Sequence, residues 1–367
     1  MKKSIIFVLI GNLIHGGNSR YLKIFNYLNN KKSDKYRFYL YINSALFNLF
    51  KNKKYIISSN NIVILRNGNE FLNKESVFFK VLNNSYISRV LFFFQIVLKT
   101  FKIKNKIYHL GPGGVMISDF IKFFLKAPVI CSAFHSGENA LKTIRTFYKK
   151  ADIIETHTPS LFDKIKKDGF NNIYLSPGTF YNFTQNKNHN FNTQKHIVFS
   201  GRLENSKNVN IFLKTAVKYN ELFPESNVKF IILGDGSLKE KVIDFEKKYK
   251  NIKYYGFVDN TYDYLIKSSI FYCLQKDKIS QSLTEAMLAG NLVLMSKEGD
   301  YKTFNTKGIF IVKDIHNINN ICNIINNIFK LEKIEFQNLR KENMNFIEKI
   351  VNPVNYISFF ESLWDNF

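Results

Sequence analysis

The sequence predicts an α/β protein built as two domains, each a parallel sheet covered by helices on both sides. Three observations predict it. The chain has 367 residues, more than a single hydrophobic core usually organises. Short apolar runs alternate with longer helical patterns along most of its length, the mark of repeated strand-helix-strand units. Near the middle, Ser176-Pro177-Gly178 and the polar, Asn-rich run from Asn182 to Asn190 interrupt that alternation as a linker would.

In the first half, strands are expected near 4–10, 38–43, 106–110, 127–134, 152–157 and 172–176. The opening run, Ser4 to Ile10 behind Lys2 and Lys3, has the basic tip and apolar stretch of a signal peptide. It lacks a small-residue cleavage site and runs straight into a Gly-rich loop, so a buried first strand is expected. In the second half, strands are expected near 196–200, 228–233, 252–257, 270–274, 292–295 and 308–312. Beyond 315 the pattern is helical, with Ile318, Ile321, Ile325 and Ile328 at helix spacing. Pro353 then breaks the chain ahead of a last amphipathic piece bearing Tyr356, Phe359, Phe360, Leu363 and Trp364, whose aromatic face must be buried on something. The resulting division is a first domain over 1–180 that takes back the terminal helix at 352–367, a linker at 181–194, and a second domain over 195–351.

The apolar share of 45% and the 37 Phe supply material for two cores. The net charge of +24 is unevenly spread: residues 1–150 hold 25 Lys/Arg against 5 Asp/Glu, while residues 201–367 hold 23 against 20. A basic first half suits attraction to an anionic membrane or acceptor, and a biased codon usage is the plain alternative. Cys131, Cys273 and Cys322 stand far apart, without the spacing of a disulfide framework or zinc site, which fits a reducing cytosol. No run of 18 apolar residues occurs, so no spanning helix is expected. Val90 to Leu98, flanked by Arg89, Lys99, Lys102 and Lys104, and the similar run Phe120 to Lys126 are expected either as core helices or as pieces lying at a lipid interface.

The residues that carry chemistry lie between Gly201 and Gly290. Ile197 to Ser200 reads as a buried strand, Gly201 allows a sharp turn, and Arg202 and Lys207 follow at the carboxyl end of the sheet, where open α/β folds bind ligands. Two cations there can hold a diphosphate, or they can be solvated. Gly234-Asp235-Gly236 ends the strand Val228 to Leu233 and opens a helix, as a tight turn that also allows close backbone approach. Asp277 follows the strand Ile270 to Leu274, and Glu285 lies eight residues on, in a helix opened by Ser282 or a neighbour. The N–H groups of that helix start, at Ser282 and Leu283, can receive phosphate oxygens; Glu285 can accept two ribose hydroxyls, and Asp277 would face the sugar. Two carboxylates eight apart can also be surface charges, against which stands their strand-loop-helix setting ahead of Gly290 and the strand Leu292 to Met295.

In this order and spacing the second half resembles the nucleotide-sugar-binding domain of the retaining GT-B glycosyltransferases of family 4, the group 1 type. The resemblance implies two Rossmann-like domains facing each other across a cleft, with the C-terminal helix crossing back to the first. It implies that Arg202 and Lys207 grip the donor diphosphate, Glu285 holds the ribose and Asp277 contacts the transferred sugar. Gly256-Phe257-Val258 resembles the segment beside the base, which places Val258 in the donor site with Gly234 and Gly236. Gly16-Gly17-Asn18-Ser19-Arg20 resembles the Gly-Gly loop after the first strand, placing Gly17 near donor phosphate and acceptor. Departures exist: Asp277 is one methylene shorter than the usual Glu, Lys278 to Gln281 replace the usual glycines, and Asn208 stands where Gly commonly follows the Lys.

His135, after the run Val129 to Phe134, sits where similar enzymes place a histidine near the reacting carbon; a structural role is the alternative. His15, His109 and His157 also fall near strand ends, but nothing pairs them at ligand spacing, so no metal site and no cofactor are expected. The expected function is transfer of a sugar from a nucleotide diphosphate donor to a glycan or lipid-linked acceptor, with retention, at the inner face of a membrane during synthesis of a bacterial surface polysaccharide or lipooligosaccharide. Two alternatives stay open: an epimerase or hydrolase of the same fold, and a basic nucleic-acid-binding protein, for which no recognition motif is present.

Overall fold

Strands that read apolar on both faces should lie inside a parallel sheet, and they do. The computed structural model describes residues 2–11, 16–31, 33–52, 60–66, 85–133, 140–177, 180, 194–258, 260–275, 280–298 and 304–367. These form two units: 1–182 with 352–367, and 183–351.

The first unit holds β1 (Lys3–Leu9), β2 (Tyr36–Asn43), β3 (Ile62–Leu65), β4 (Lys106–Leu110), β5 (Val129–Ser132), β6 (Ile153–Thr156) and β7 (Ile173–Leu175), all parallel in the order β3-β2-β1-β4-β5-β6-β7. Six strands are expected in this half, and β3 is the addition. Helices cover both faces. One core joins alternate strand residues such as Ile6, Val8 and Tyr108 to Phe92, Phe93 and Ile96 of α3 (Ser85–Thr100), to Ile144 of α4 (Ala140–Phe147) and to Leu161 and Ile165 of α5 (Pro159–Lys167). The other joins Ile5, Phe7 and Leu9 to Tyr21 and Phe25 of α1 (Gly16–Lys31), to Leu46 and Phe50 of α2 (Ser44–Asn52) and to the terminal helix. The Gly16 and Gly17 pair, expected in a loop, belongs to the first turn of α1.

The second unit has β8 (His196–Ser200), β9 (Lys229–Leu233), β10 (Ile252–Tyr254), β11 (Ile270–Cys273), β12 (Leu292–Ser296) and β13 (Ile309–Val312), parallel in the order β10-β9-β8-β11-β12-β13. Its main core packs Ile197, Phe230 and Tyr272 against α6 (Val209–Leu222), α7 (Lys239–Lys248) and α9 (Ile318–Phe329). The opposite face carries α8 (Gln281–Leu288) and α10 (Lys333–Ile350), where Arg340 is buried with Nη2 donating to Ala289 O at 3.4 Å.

Pro353 starts α11 (Pro353–Asp365), and its aromatic face is buried in the first unit. Trp364 donates Nε1–H to His109 Nδ1 at 3.2 Å. An indole N–H only donates, so His109 accepts at Nδ1 and carries its proton on Nε2, beside Tyr21 Oη at 3.1 Å. Burial, and secondarily the charge of Arg20, push His109 down to about 3. The fully buried Arg20 and Glu155 pair at 3.3 Å beside it. All three cysteines are buried and free.

Candidate functional site

In a parallel sheet every strand ends on the same edge, and the crevice opens where the strand order reverses. In the second unit that point lies between β8 and β11, both of which run parallel with Ile197 opposite Ile270. Lys207 follows β8 in a short 3-10 turn (Asn205–Lys207), and its Nζ reaches across to donate to Gln275 Oε1 at 2.5 Å, just past β11. Burial pulls the Lys207 ammonium below the usual lysine value; Cys273 opposes this, Arg202 adds to it and Glu204 opposes it. A desolvated cation gains most from a partner anion.

Around this contact is a recess of about 50 Å³ lined by Ser200, Gly201, Lys207, Gln275, Ser280 and Ser282. A larger groove of about 540 Å³ lies among α6, α7 and the start of α9 and holds none of the expected site residues. The smaller one is where the ends of β8 and β11 and the start of α8 converge, so the chemistry is assigned there.

Ser280 caps α8, accepting from Leu283 N at 3.1 Å. That commits the Leu283 N–H, expected to meet phosphate, to the cap. Ser282, ahead of it in the first turn of α8, lines the recess. One turn on, Glu285 Oε2 accepts from Thr261 Oγ1 at 2.5 Å and Oε1 from Gln281 Nε2 at 3.0 Å. A carboxylate offers about four lone-pair sites, so two bonds brace it and leave capacity for hydroxyl donors.

Arg202 is exposed and donates Nη1–H to Glu204 Oε1 at 2.8 Å. Gly234 has φ +137°, and a Cβ there would fall 1.9 Å from Gly201 O. A Cβ at Gly236 would fall 2.7 Å from Leu203 O. The close approach these glycines allow is therefore to the loop after β8, which they hold beside the recess. Gly256 O accepts from Gly234 N at 2.7 Å, extending this stack of loops to β10 and to Val258, which is half-buried just beyond it. His135 and Asp277 lie outside the described residues, and Gly17 is in the first unit.

Sequence reasoning missed Gln275 and Thr261. Gln275 carries a positional signal, being two residues beyond the last residue of β11 at the reversal point. Thr261 carries none, since 24 residues separate it from Glu285. Asn208, read as a departure, sits at φ +57°, where Gly is easiest and Asn the next best tolerated, and its Nδ2 donates to Leu274 O at 2.5 Å.

Residues 181–348 match the family model of glycosyl transferases group 1. No curated protein matches the chain in sequence. Among solved structures, Anabaena Alr3699/HepE in complex with UDP superposes with a TM-score of 0.71 at 12% identity, covering 100% of both chains. A point mutant of S. aureus TarM in complex with Fondaparinux, alpha-GlcNAc-glycerol and UDP gives 0.77 at 12% identity over 99% of each chain. The Candida albicans trehalose-6-phosphate phosphatase N-terminal domain gives 0.72 at 11%, covering 99% of this chain and 97% of that one. At such identities the likeness establishes the two-sheet fold, and the activity has to be argued from the site.

Proposed function

We propose a reaction from one premise: the chain is a glycosyltransferase of the GT-B fold, whose second unit carries the group 1 domain over residues 181–348. It moves a sugar from a nucleotide diphosphate donor to a glycan or lipid-linked acceptor, with retention. The observation that carries this is the half-buried Lys207, held by Gln275 at the β8/β11 crevice beside the start of α8.

As the bond to the sugar breaks, negative charge builds on the diphosphate. Lys207, Arg202 and the N–H of Ser282 stabilise that charge, and in a partly desolvated site such donors are worth most. Glu285, braced by Thr261 and Gln281, receives the ribose hydroxyls. Val258 lies beside the base, and Gly17 approaches the phosphates. Asp277 contacts the transferred sugar and His135 the reacting carbon. UDP-sugars are the first donors to try, because the HepE and TarM structures hold UDP. The acceptor belongs to a bacterial surface polysaccharide or lipooligosaccharide. The basic first unit draws the enzyme to the anionic inner face of the membrane, where a lipid-linked acceptor is found.

Thermal denaturation with UDP-, GDP-, ADP- and dTDP-linked sugars, run on wild type and Glu285→Ala, tests the donor site. A donor at about 100 times its Kd adds about 2.7 kcal/mol of stability. The expected result is a shift for one donor that shrinks in the variant. Silence for all four, repeated in calorimetry at millimolar donor, overturns the transferase reading. Donor turned over at full rate without acceptor replaces it with an epimerase or hydrolase of the same fold.

A further inference from the structure

Two apolar stretches that lie apart in sequence meet on one side of the first unit. α3 buries Phe92, Phe93 and Ile96 and turns Phe94 and Leu98 outward, with Phe101 continuing the same stripe just past the helix. The helical turns Ser118–Phe120 and Ile121–Leu125 turn Phe123 and Phe124 outward. The Phe93 ring centroid lies 5.8 Å from that of Phe94 and 5.5 Å from that of Phe124, and Phe124 lies 4.9 Å from Phe123. The buried Phe93 ring thus lies between the exposed Phe94 and the exposed pair Phe124 and Phe123, placing all three on one side of the unit.

Singly exposed apolar side chains need no explanation, but a cluster of them marks a contact surface. Of the five described large apolar side chains exposed by more than 60%, four belong here: Leu98 at 77%, Phe101 at 80%, Phe123 at 67% and Phe124 at 61%. The charge around them is predominantly positive, although Lys122 is paired with Asp152 at 2.8 Å. From residue 85 to 126 there are seven Lys/Arg and a single acid, Asp119. Lys99, Lys102 and Lys126 are exposed, and Lys150 Nζ lies 5.8 Å from the centre of the Phe123 ring.

Aromatic rings flanked by long cationic side chains match the boundary of an anionic bilayer, where rings enter the acyl region and ammonium groups meet phosphates. A second copy of this chain would bring the same cations face to face, which opposes self-pairing. We propose that Phe94, Leu98, Phe101, Phe123 and Phe124 are an insertion face that seats the first unit in an anionic lipid surface. This rests on the membrane reading above and changes its physics: attraction by charge alone is released by salt, whereas inserted rings resist it.

Flotation of the full chain with mixed phosphatidylcholine–phosphatidylglycerol vesicles, at low salt and at about 1 M salt where the Debye length is about 3 Å, decides this. Wild type is expected to float at low salt and to keep a measurable fraction afloat at high salt. Phe123→Ser/Phe124→Ser should weaken low-salt binding about tenfold or more and abolish the high-salt fraction. Lys99→Gln/Lys102→Gln should weaken only the low-salt binding. Because the substituted side chains are exposed, both variants should melt with wild type, and thermal denaturation checks that.

Complete release of wild type by salt, or an unchanged serine variant, overturns insertion and leaves charge attraction standing. Wild type that does not float even at low salt overturns the membrane reading with it. A lipid-free dimer that the serine pair converts to monomer makes this face a protein interface and overturns the proposal.

Discussion

The two sheets share a strand order around the reversal point and treat the crevice there in opposite ways. Beside β1 and β4, backbone occupies the place: Ile10 N donates to Pro112 O at 3.3 Å, and Gly111 N to Val8 O at 3.1 Å. Gly113, at φ +73°, is pressed so close that a Cβ would fall 1.8 Å from Ile10 O. Below it, His109, Tyr21 and Trp364 satisfy one another in the core. Beside β8 and β11, side chains occupy it: Lys207 bridges to Gln275 over a recess, and a helix start faces in. Sheet order sets where a ligand can bind; the groups lining the reversal point decide whether charge is waiting for one.

The sharpest break of that contrast is Lys207→Ala. It should cost about 100- to 1000-fold in kcat/KM, the range for loss of one preorganised donor to a developing anion, with little change in melting temperature. Binding needs the charged ammonium, which is lost as pH rises through its pKa. Since burial holds that pKa below the usual lysine value, donor affinity should fall at lower pH than an ordinary lysine would dictate. Lys207→Arg should move the fall to higher pH, as a donor KM measured across alkaline pH would reveal.

Gly234→Ala and Gly113→Ala test what the two crevices share. In each a Cβ would fall within 2 Å of a carbonyl oxygen, 1.9 Å from Gly201 O and 1.8 Å from Ile10 O, at positive φ. Each should lose roughly 2–4 kcal/mol, read by urea denaturation. They part on ligand: the donor-induced thermal shift should shrink for Gly234→Ala and persist for Gly113→Ala. Equal shrinkage in both would erase the functional difference drawn between the crevices.

His109 sharpens the comparison from the filled side. Its pKa is about 3 in the fold and near 6.5 when unfolded, so the unfolded chain binds the extra proton between those values. The stability it contributes is fully present above about pH 6.5 and declines toward pH 3, by about 1.4 kcal/mol per pH unit. His109→Leu should flatten that slope relative to wild type between pH 6.5 and 5, and Trp364 fluorescence reports it. A variant as steep as wild type would remove His109 as the origin.

Most strands were legible because parallel, doubly covered strands are apolar on both faces, and β1, β8, β11 and β12 fall within about two residues of expectation. β3 was not. It has four residues, only Leu65 fully buried, and pairs with β2 alone, so it leaves little apolar pattern. The expected strand 252–257 stops at Tyr254, since the chain turns at Gly256 with φ +69°. At the site, spacing within a strand-turn-helix places Lys207 after β8 and Glu285 on α8, as the structure has them. Gln275 and Thr261 reach the same places through tertiary contact, which no local pattern records. The stretches 90–98 and 120–126 leave core and interface both open because most of their residues are apolar; in the structure each has buried and exposed apolar side chains.

The smallest expected effect bears on how a carboxylate is held in the open crevice. Thr261 Oγ1 donates to Glu285 Oε2 at 2.5 Å, and Gln281 holds the other oxygen at 3.0 Å. With Thr261→Ala, Glu285 keeps its charge and one brace but can rotate toward water, so ribose hydroxyls meet it less often in the right geometry. Donor KM should rise about tenfold, the weight of one hydrogen bond to a charged group. kcat should change little, because a bond made equally in ground and transition states affects binding alone. Thr261→Ser keeps the hydroxyl and should restore KM. If serine fails to restore it while alanine melts as wild type does, the Thr261 methyl rather than its hydroxyl positions the loop; if kcat falls instead of KM rising, Glu285 acts on the transition state and its assignment to the ribose is wrong.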